Sequence, residues 1–196
     1  MDNSPKMLEA FRCFDDANRN DPNMEVHEGQ AFPKELLYAQ RMTETLNAYR
    51  PNASEALQLS VRCQHIQRWE IPRDAYEKGR VGYLKWRQEL KQFHADRATE
   101  ILEEVGYDSE TISQVKFLLL KKQLKKNEET QALEDVICLV FLKYYFEPFI
   151  KKHDEGKIID ILQKTWKKMS PNGHKAALQL QLSQDAMNLV EKAITA

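Results

Sequence analysis

The sequence predicts an all-α fold, and three observations predict it. Apolar residues recur at helical spacing along nearly the whole chain, strand-like alternation is scarce, and only 6 glycines interrupt 196 residues. That length suits one sizeable core, so residues 1–196 are expected to form a single domain, with no internal repeat or low-complexity tract.

The elements follow in order. Met7, Leu8, Phe11 and Phe14 share one face of a first helix over residues 6–18. Asp21-Pro22-Asn23 and Glu28-Gly29-Gln30 mark residues 20–32 as an irregular loop. Pro33 suits the first turn of a second helix carrying Leu36, Leu37, Met42 and Leu46. Ser54 caps a third helix that runs to about residue 69 and stops before Pro72. A charged loop over 76–82 leads to a fourth helix through Tyr83, Trp86 and Leu90, closed by Gly106 in a left-handed conformation. A fifth helix covers 110–121. A long sixth covers 128–152 and is kinked or ended by Pro148. An amphipathic helix over 154–169 is broken by Ser170-Pro171-Asn172-Gly173, and a last helix finishes near residue 194.

Charge and motifs narrow the function. Lys plus Arg is 29 against 30 Asp plus Glu, a net charge of −1, which argues against the broad basic surface that nucleic acid requires. No apolar run approaches the roughly 18–20 residues that span a bilayer, so no membrane association is expected. Met1-Asp2-Asn3-Ser4-Pro5 lacks the layout of a signal peptide. Cys13, Cys63 and Cys138 are odd in number and embedded in apolar helical patterns, which reads as reduced thiols in a cytoplasmic protein. Glycine-rich phosphate loops, Cys-x-x-Cys, His-Glu-x-x-His and Gly-x-Ser-x-Gly are all absent.

The densest chemistry lies in Arg62-Cys63-Gln64-His65-Ile66-Gln67-Arg68-Trp69-Glu70-Ile71-Pro72-Arg73. Polar groups of this kind are costly to bury unless they face one another or a ligand. On a helix continuing to residue 69, Arg62 and Trp69 fall on the side of His65, with Arg68 nearby. Neighbouring cations keep a histidine neutral, the form that binds metal or accepts a proton. The structural alternative is a stacked His–Trp core pair with its arginines reaching outward. His94 is a second candidate, whereas His27, His153 and His174 stand in polar or loop contexts. Arg62, Arg68, Arg73 and Arg87 have aromatic neighbours and read as partly enclosed guanidiniums that grip phosphate or carboxylate. An ion-pair network with Glu70, Glu134 and Asp135 would account for the same arginines without a ligand.

Three phrases together resemble the DUF4202 family over nearly the whole chain: Pro33-Lys34-Glu35-Leu36-Leu37-Tyr38-Ala39-Gln40-Arg41-Met42, the stretch from Arg62 to Arg73, and Leu133-Glu134-Asp135-Val136-Ile137-Cys138-Leu139. That family name implies no activity. A more distant resemblance is to the HD-domain superfamily of all-α, metal-dependent phosphohydrolases. Tyr38 stands at the superfamily's early His, and Ile66 replaces the aspartate of its His-Asp pair after His65. His94 matches a further His, Asp135 the earlier Asp of a late phrase, and Ile137 the later one.

The resemblance implies an HD-domain-like helical bundle with a central polar pocket lined by Tyr38, Arg41, Arg62, His65, Arg68, His94 and Asp135. Loss of the bridging carboxylate removes what a two-metal centre requires, so no cofactor is expected. The expected function is recognition of a small anionic ligand, a nucleotide or another phosphorylated metabolite. Tyr38, Arg41, Arg62, Arg68, Trp69, Arg73 and Arg87 would hold it, with Tyr38, Trp69 or Trp86 stacking on a base. The enzyme alternative is a phosphohydrolase with one divalent metal on His65, His94 and Asp135, and with Glu70 or Asp135 activating water. A third reading is a protein- or RNA-interaction module using Lys121, Lys122, Lys125 and Lys126, which otherwise form a solvated face.

Overall fold

The computed structural model describes residues 4–195 and has an all-α fold, 72% helical with one two-stranded sheet. The chain groups into two compact units, residues 1–122 and 123–196.

The first unit contains α1 (Pro5–Arg19), β1 (Met24–His27), β2 (Gln30–Pro33), α2 (Lys34–Tyr49), α3 (Glu55–Cys63), α4 (Arg80–Glu104) and α5 (Ser109–Leu119). Helix α3 packs against α1, α2 and α5, so it forms the centre of the unit. Phe14, Met42, Leu46, Leu57, Leu59, Ile66, Leu102 and Val115 are fully buried there. Side-chain oxygens of Ser4, Ser54 and Asp108 accept the backbone N–H three residues on, which caps α1, α3 and α5. Gly106 ends α4 at φ 86°, the left-handed geometry its sequence position predicts.

Three expectations for this unit are corrected. Residues 20–32 are not wholly irregular. Met24 pairs with Pro33 and His27 with Gln30 in an antiparallel hairpin, because Glu28 and Gly29 both take the positive φ that a tight two-residue turn demands. The third helix ends at Cys63 and does not reach residue 69. Gln67 adopts φ 48°, and its backbone N–H donates to Oδ1 of buried Asn18. This left-handed residue reverses the chain into a 3₁₀ turn at Arg68–Glu70. His65 therefore lies in a turn, and the helical spacing that placed Arg62 and Trp69 beside it does not apply. Helix α5 likewise stops at Leu119, and Lys121, Gln123 and Lys125 follow with positive φ.

The second unit contains α6 (Glu128–Val140), α7 (Phe146–Ile150), α8 (Glu155–Lys168), α9 (Pro171–Ala177) and α10 (Gln184–Thr195). The expected kink near Pro148 takes a definite form. Pro148 has no N–H for the preceding turn, and Phe141–Tyr145 winds as a π-helical turn between α6 and α7. Ser170-Pro171-Asn172-Gly173, expected only to break a helix, also starts α9: Ser170 Oγ accepts from the Gly173 backbone N–H. The final segment is thus two helices, not one.

Asp135 anchors that corner. It is 1% exposed, and its carboxylate accepts from the Ser170 backbone N–H at 2.8 Å, Ser170 Oγ at 2.5 Å and Gln131 Nε2 at 3.1 Å. A Cβ on Gly173 would lie 2.6 Å from Asp135 Oδ1. Gly173→Ala is therefore expected to displace the carboxylate from Ser170 and cost about 1–3 kcal/mol, read as a lower urea midpoint.

Candidate functional site

The site is built on the start of α2. Pro33, at its N-cap, offers no side-chain cap. The loop before it supplies the acceptors instead: Asn23 O takes the Lys34 N–H and Asp21 Oδ2 takes the Glu35 N–H, both at 2.9 Å. Asp21 Oδ1 in turn accepts from the backbone and side chain of Asn23. The first turn of α2 is thereby fixed, and with it the direction of the Glu35 side chain.

Glu35 is 5% exposed. Its Oε2 lies 3.1 Å from His65 Nδ1, and its Oε1 lies 3.7 Å from Arg68 Nη1. The His65 ring stacks on Tyr38 with centroids 4.2 Å apart and planes 15° apart. On its other neighbour, His94 of α4, the centroid distance is 5.7 Å. Arg68 sits over the Trp86 ring at 5.2 Å, and Trp86 Nε1 donates to Ile71 O at 2.9 Å. Among the described residues, buried Arg68 Nε and His94 Nε2 have no hydrogen-bond partner.

Burial dominates the protonation states. It pushes His65 well below the usual histidine range, and the charges of Arg68, Lys121, Arg87 and Lys34 push the same way. His94 is likewise held well down by burial, then by His65 and Arg68. Burial raises Glu35, opposed by the charges of Arg68 and Lys34. A neutral His65 that donates from Nδ1 to Glu35 keeps its lone pair on Nε2.

Glu35 and Arg68 also face a cleft of about 400 Å³, lined further by Lys34, Arg73, Trp69 and Trp86. Pro22, Asn23, Ile71 and Pro72 complete its wall. The Arg73 guanidinium donates to the carbonyls of Tyr76, Glu77 and Gly79, so hydrogen bonds to neutral groups hold it. Three cations thus meet one carboxylate in a partly apolar cleft.

The structure brings together Tyr38, His65 and His94, and places Arg68, Trp69 and Arg73 on the cleft. Other candidates are engaged elsewhere. Arg62 forms a bidentate pair with Asp15 of α1, Nε to Oδ1 at 2.8 Å, and also donates to Thr43. Arg41 pairs with Glu25 of the hairpin. Arg87 donates to the Tyr83 hydroxyl one turn away on α4. Glu70 is exposed, and Asp135 belongs to the second unit, bonded to Ser170. Trp86 and Tyr38 are already stacked within the protein, on Arg68 and His65 respectively, and Trp69 is the other ring on the cleft wall.

Among the described residues, no group of three or more His, Cys, Asp or Glu side chains is placed to hold a metal ion. Two imidazoles alone fall short of the three protein ligands typical of a catalytic zinc. Sequence reading missed Lys34 and Glu35. The available signal was Glu35 itself, one turn before Tyr38 on the same helical face, after an Asp-Pro-Asn loop able to cap the helix.

This cation-lined cleft on an all-α scaffold belongs to a chain that matches the family model "Domain of unknown function (DUF4202)" over residues 8–190. The protein is a member of the DUF4202 family. No curated protein and no solved structure matches it.

The depressed histidines make stability pH-dependent. Unfolding frees His65 and His94 to bind protons near the ordinary value of 6.5 that burial denies them. Their contribution is complete above that value and is lost as pH falls below it. The melting temperature is expected to fall from pH 7 to 5.5, at up to about 1.4 kcal/mol per histidine per pH unit. A His94→Leu variant should show a shallower slope in the same scan.

Proposed function

We propose that the protein binds a small anionic ligand, a phosphorylated metabolite or nucleotide, in the cleft between α2 and the 68–73 turn. The observation that carries this reading is the convergence of Lys34, Arg68 and Arg73 on one cleft, with Trp69 as an apolar wall. Arginine forks and a lysine point charge suit phosphate oxygens. Buried Arg68 Nε, with no partner among the described residues, supplies a donor whose desolvation a bound anion would offset. The HD-superfamily resemblance lends the phosphate its support by analogy, and the approach of His65 to His94 is the contact that resemblance calls for. Trp86 and Tyr38 are occupied by internal stacking, so the phosphate outweighs a base as the recognised group.

Thermal denaturation with a panel of inorganic phosphate, sugar phosphates and nucleoside mono- and diphosphates tests the reading. At least one compound is expected to raise the melting temperature in a concentration-dependent way. Lys34→Ala and Arg68→Gln should each weaken that response about tenfold or more, the worth of one charge-assisted hydrogen bond. Arg62→Ala should instead lower the melting temperature of the free protein by stranding Asp15, about 2–4 kcal/mol, and leave the ligand response in place. A panel with no stabilising compound would sink the proposal.

A further inference from the structure

A cleft built only to attract anions has no use for a carboxylate, yet Glu35 stands in its wall. Its position is fixed by Asp21 through the backbone of α2, not by a chance surface rotamer. One oxygen is used: Oε2 faces His65 Nδ1 at 3.1 Å. The other, Oε1, has Arg68 Nη1 at 3.7 Å, beyond hydrogen-bond length. Burial raises Glu35, and the charges of Arg68 and Lys34 beside it oppose that rise. An anion held by those same two cations meets an acceptor at Oε1.

Two acceptors repel unless one brings a proton. Inorganic phosphate carries one in either of its forms at neutral pH, whereas a monoester, whose second pKa is about 6, carries one only as its minor monoanion. Sulfate carries none and can only present lone pairs to Oε1. We infer that Glu35 is the specificity residue of the cleft: its Oε1 accepts the P–O–H hydrogen bond of a protonated phosphate group, so the site takes phosphate and rejects fully ionised oxyanions. This rests on the anion-binding reading above and adds the discrimination within it. His65 acts here as a positioning residue, since its Nδ1 holds Oε2 and so leaves Oε1 on the side of Arg68.

The test is an NMR titration of the full chain with sodium phosphate and sodium sulfate at matched ionic strength and neutral pH. The probe is the Trp69 indole N–H resonance, assigned with a Trp69→Phe variant. Phosphate is expected to bind at least about tenfold more tightly than sulfate, because the sulfate complex leaves a buried acceptor facing an acceptor. Glu35→Gln, whose amide can donate to either anion, should bring the two affinities within about threefold by gaining sulfate, a readout that mere loss of structure would not produce. Equal binding of both anions by the wild-type protein overturns the inference and leaves the cleft reading intact. It needs no variant to fold. A tenfold phosphate preference that survives Glu35→Gln also overturns it. If neither anion moves the Trp69 resonance, this inference fails, while the cleft reading stands or falls with the ligand panel above.

Discussion

The site depends on the Asp21 carboxylate. A helix that starts after proline lacks the usual side-chain cap, and its first N–H groups would otherwise stand orphaned. Asp21 satisfies one of them at 2.9 Å while fastening its own loop through Asn23. That single group joins the loop before the hairpin to the start of α2. In doing so it sets Lys34 and Glu35, two successive residues of opposite charge, at the edge of the same cleft. Without it, the first turn of α2 would fray and both side chains would lose their bearing.

The second constraint is the opposition between burial and charge around Glu35. Desolvation favours neutral forms of Glu35, His65 and His94, whereas the nearby cations favour an ionised glutamate and neutral histidines. Both influences agree on the histidines and disagree only on the glutamate. The result is a site whose imidazoles carry no charge and whose positive field comes from Arg68, Lys34 and Arg73. Such a field is the physical basis of the anion binding proposed above.

Much of this was legible before the fold was known, for a physical reason. Arg68, Trp69 and Arg73 crowd a short stretch that ends at Pro72, and chain connectivity alone keeps them close. The helix start at Ser54 was equally plain, because capping is local chemistry. Long-range pairing was not. Arg62 looks like a ligand-binding arginine in its own neighbourhood, but Asp15, 47 residues earlier, takes both ends of its fork. Arg41 is claimed by Glu25 of a hairpin whose turn depends on Glu28 accepting a positive φ, a strain only Gly29 advertises. Glu35 was hidden in the opposite way: in sequence it resembles any acidic residue in a first helical turn, stabilised there by the helix dipole. Its burial and its approach to His65, 30 residues on, exist only in the fold.

Ile66 shows how the same turn separates packing from chemistry. It is fully buried, one residue after a histidine that is 23% exposed at its side chain. The left-handed Gln67 that follows lets adjacent residues point to the core and to the site without a helix between them. A carboxylate at position 66 would replace a fully buried aliphatic side chain and lose its hydration there. The acidic partner of His65 therefore comes from another element, α2, and approaches from the cleft side. That route sets the carboxylate beside both the His65 imidazole and the cations of the cleft, where the proposed anion would meet it.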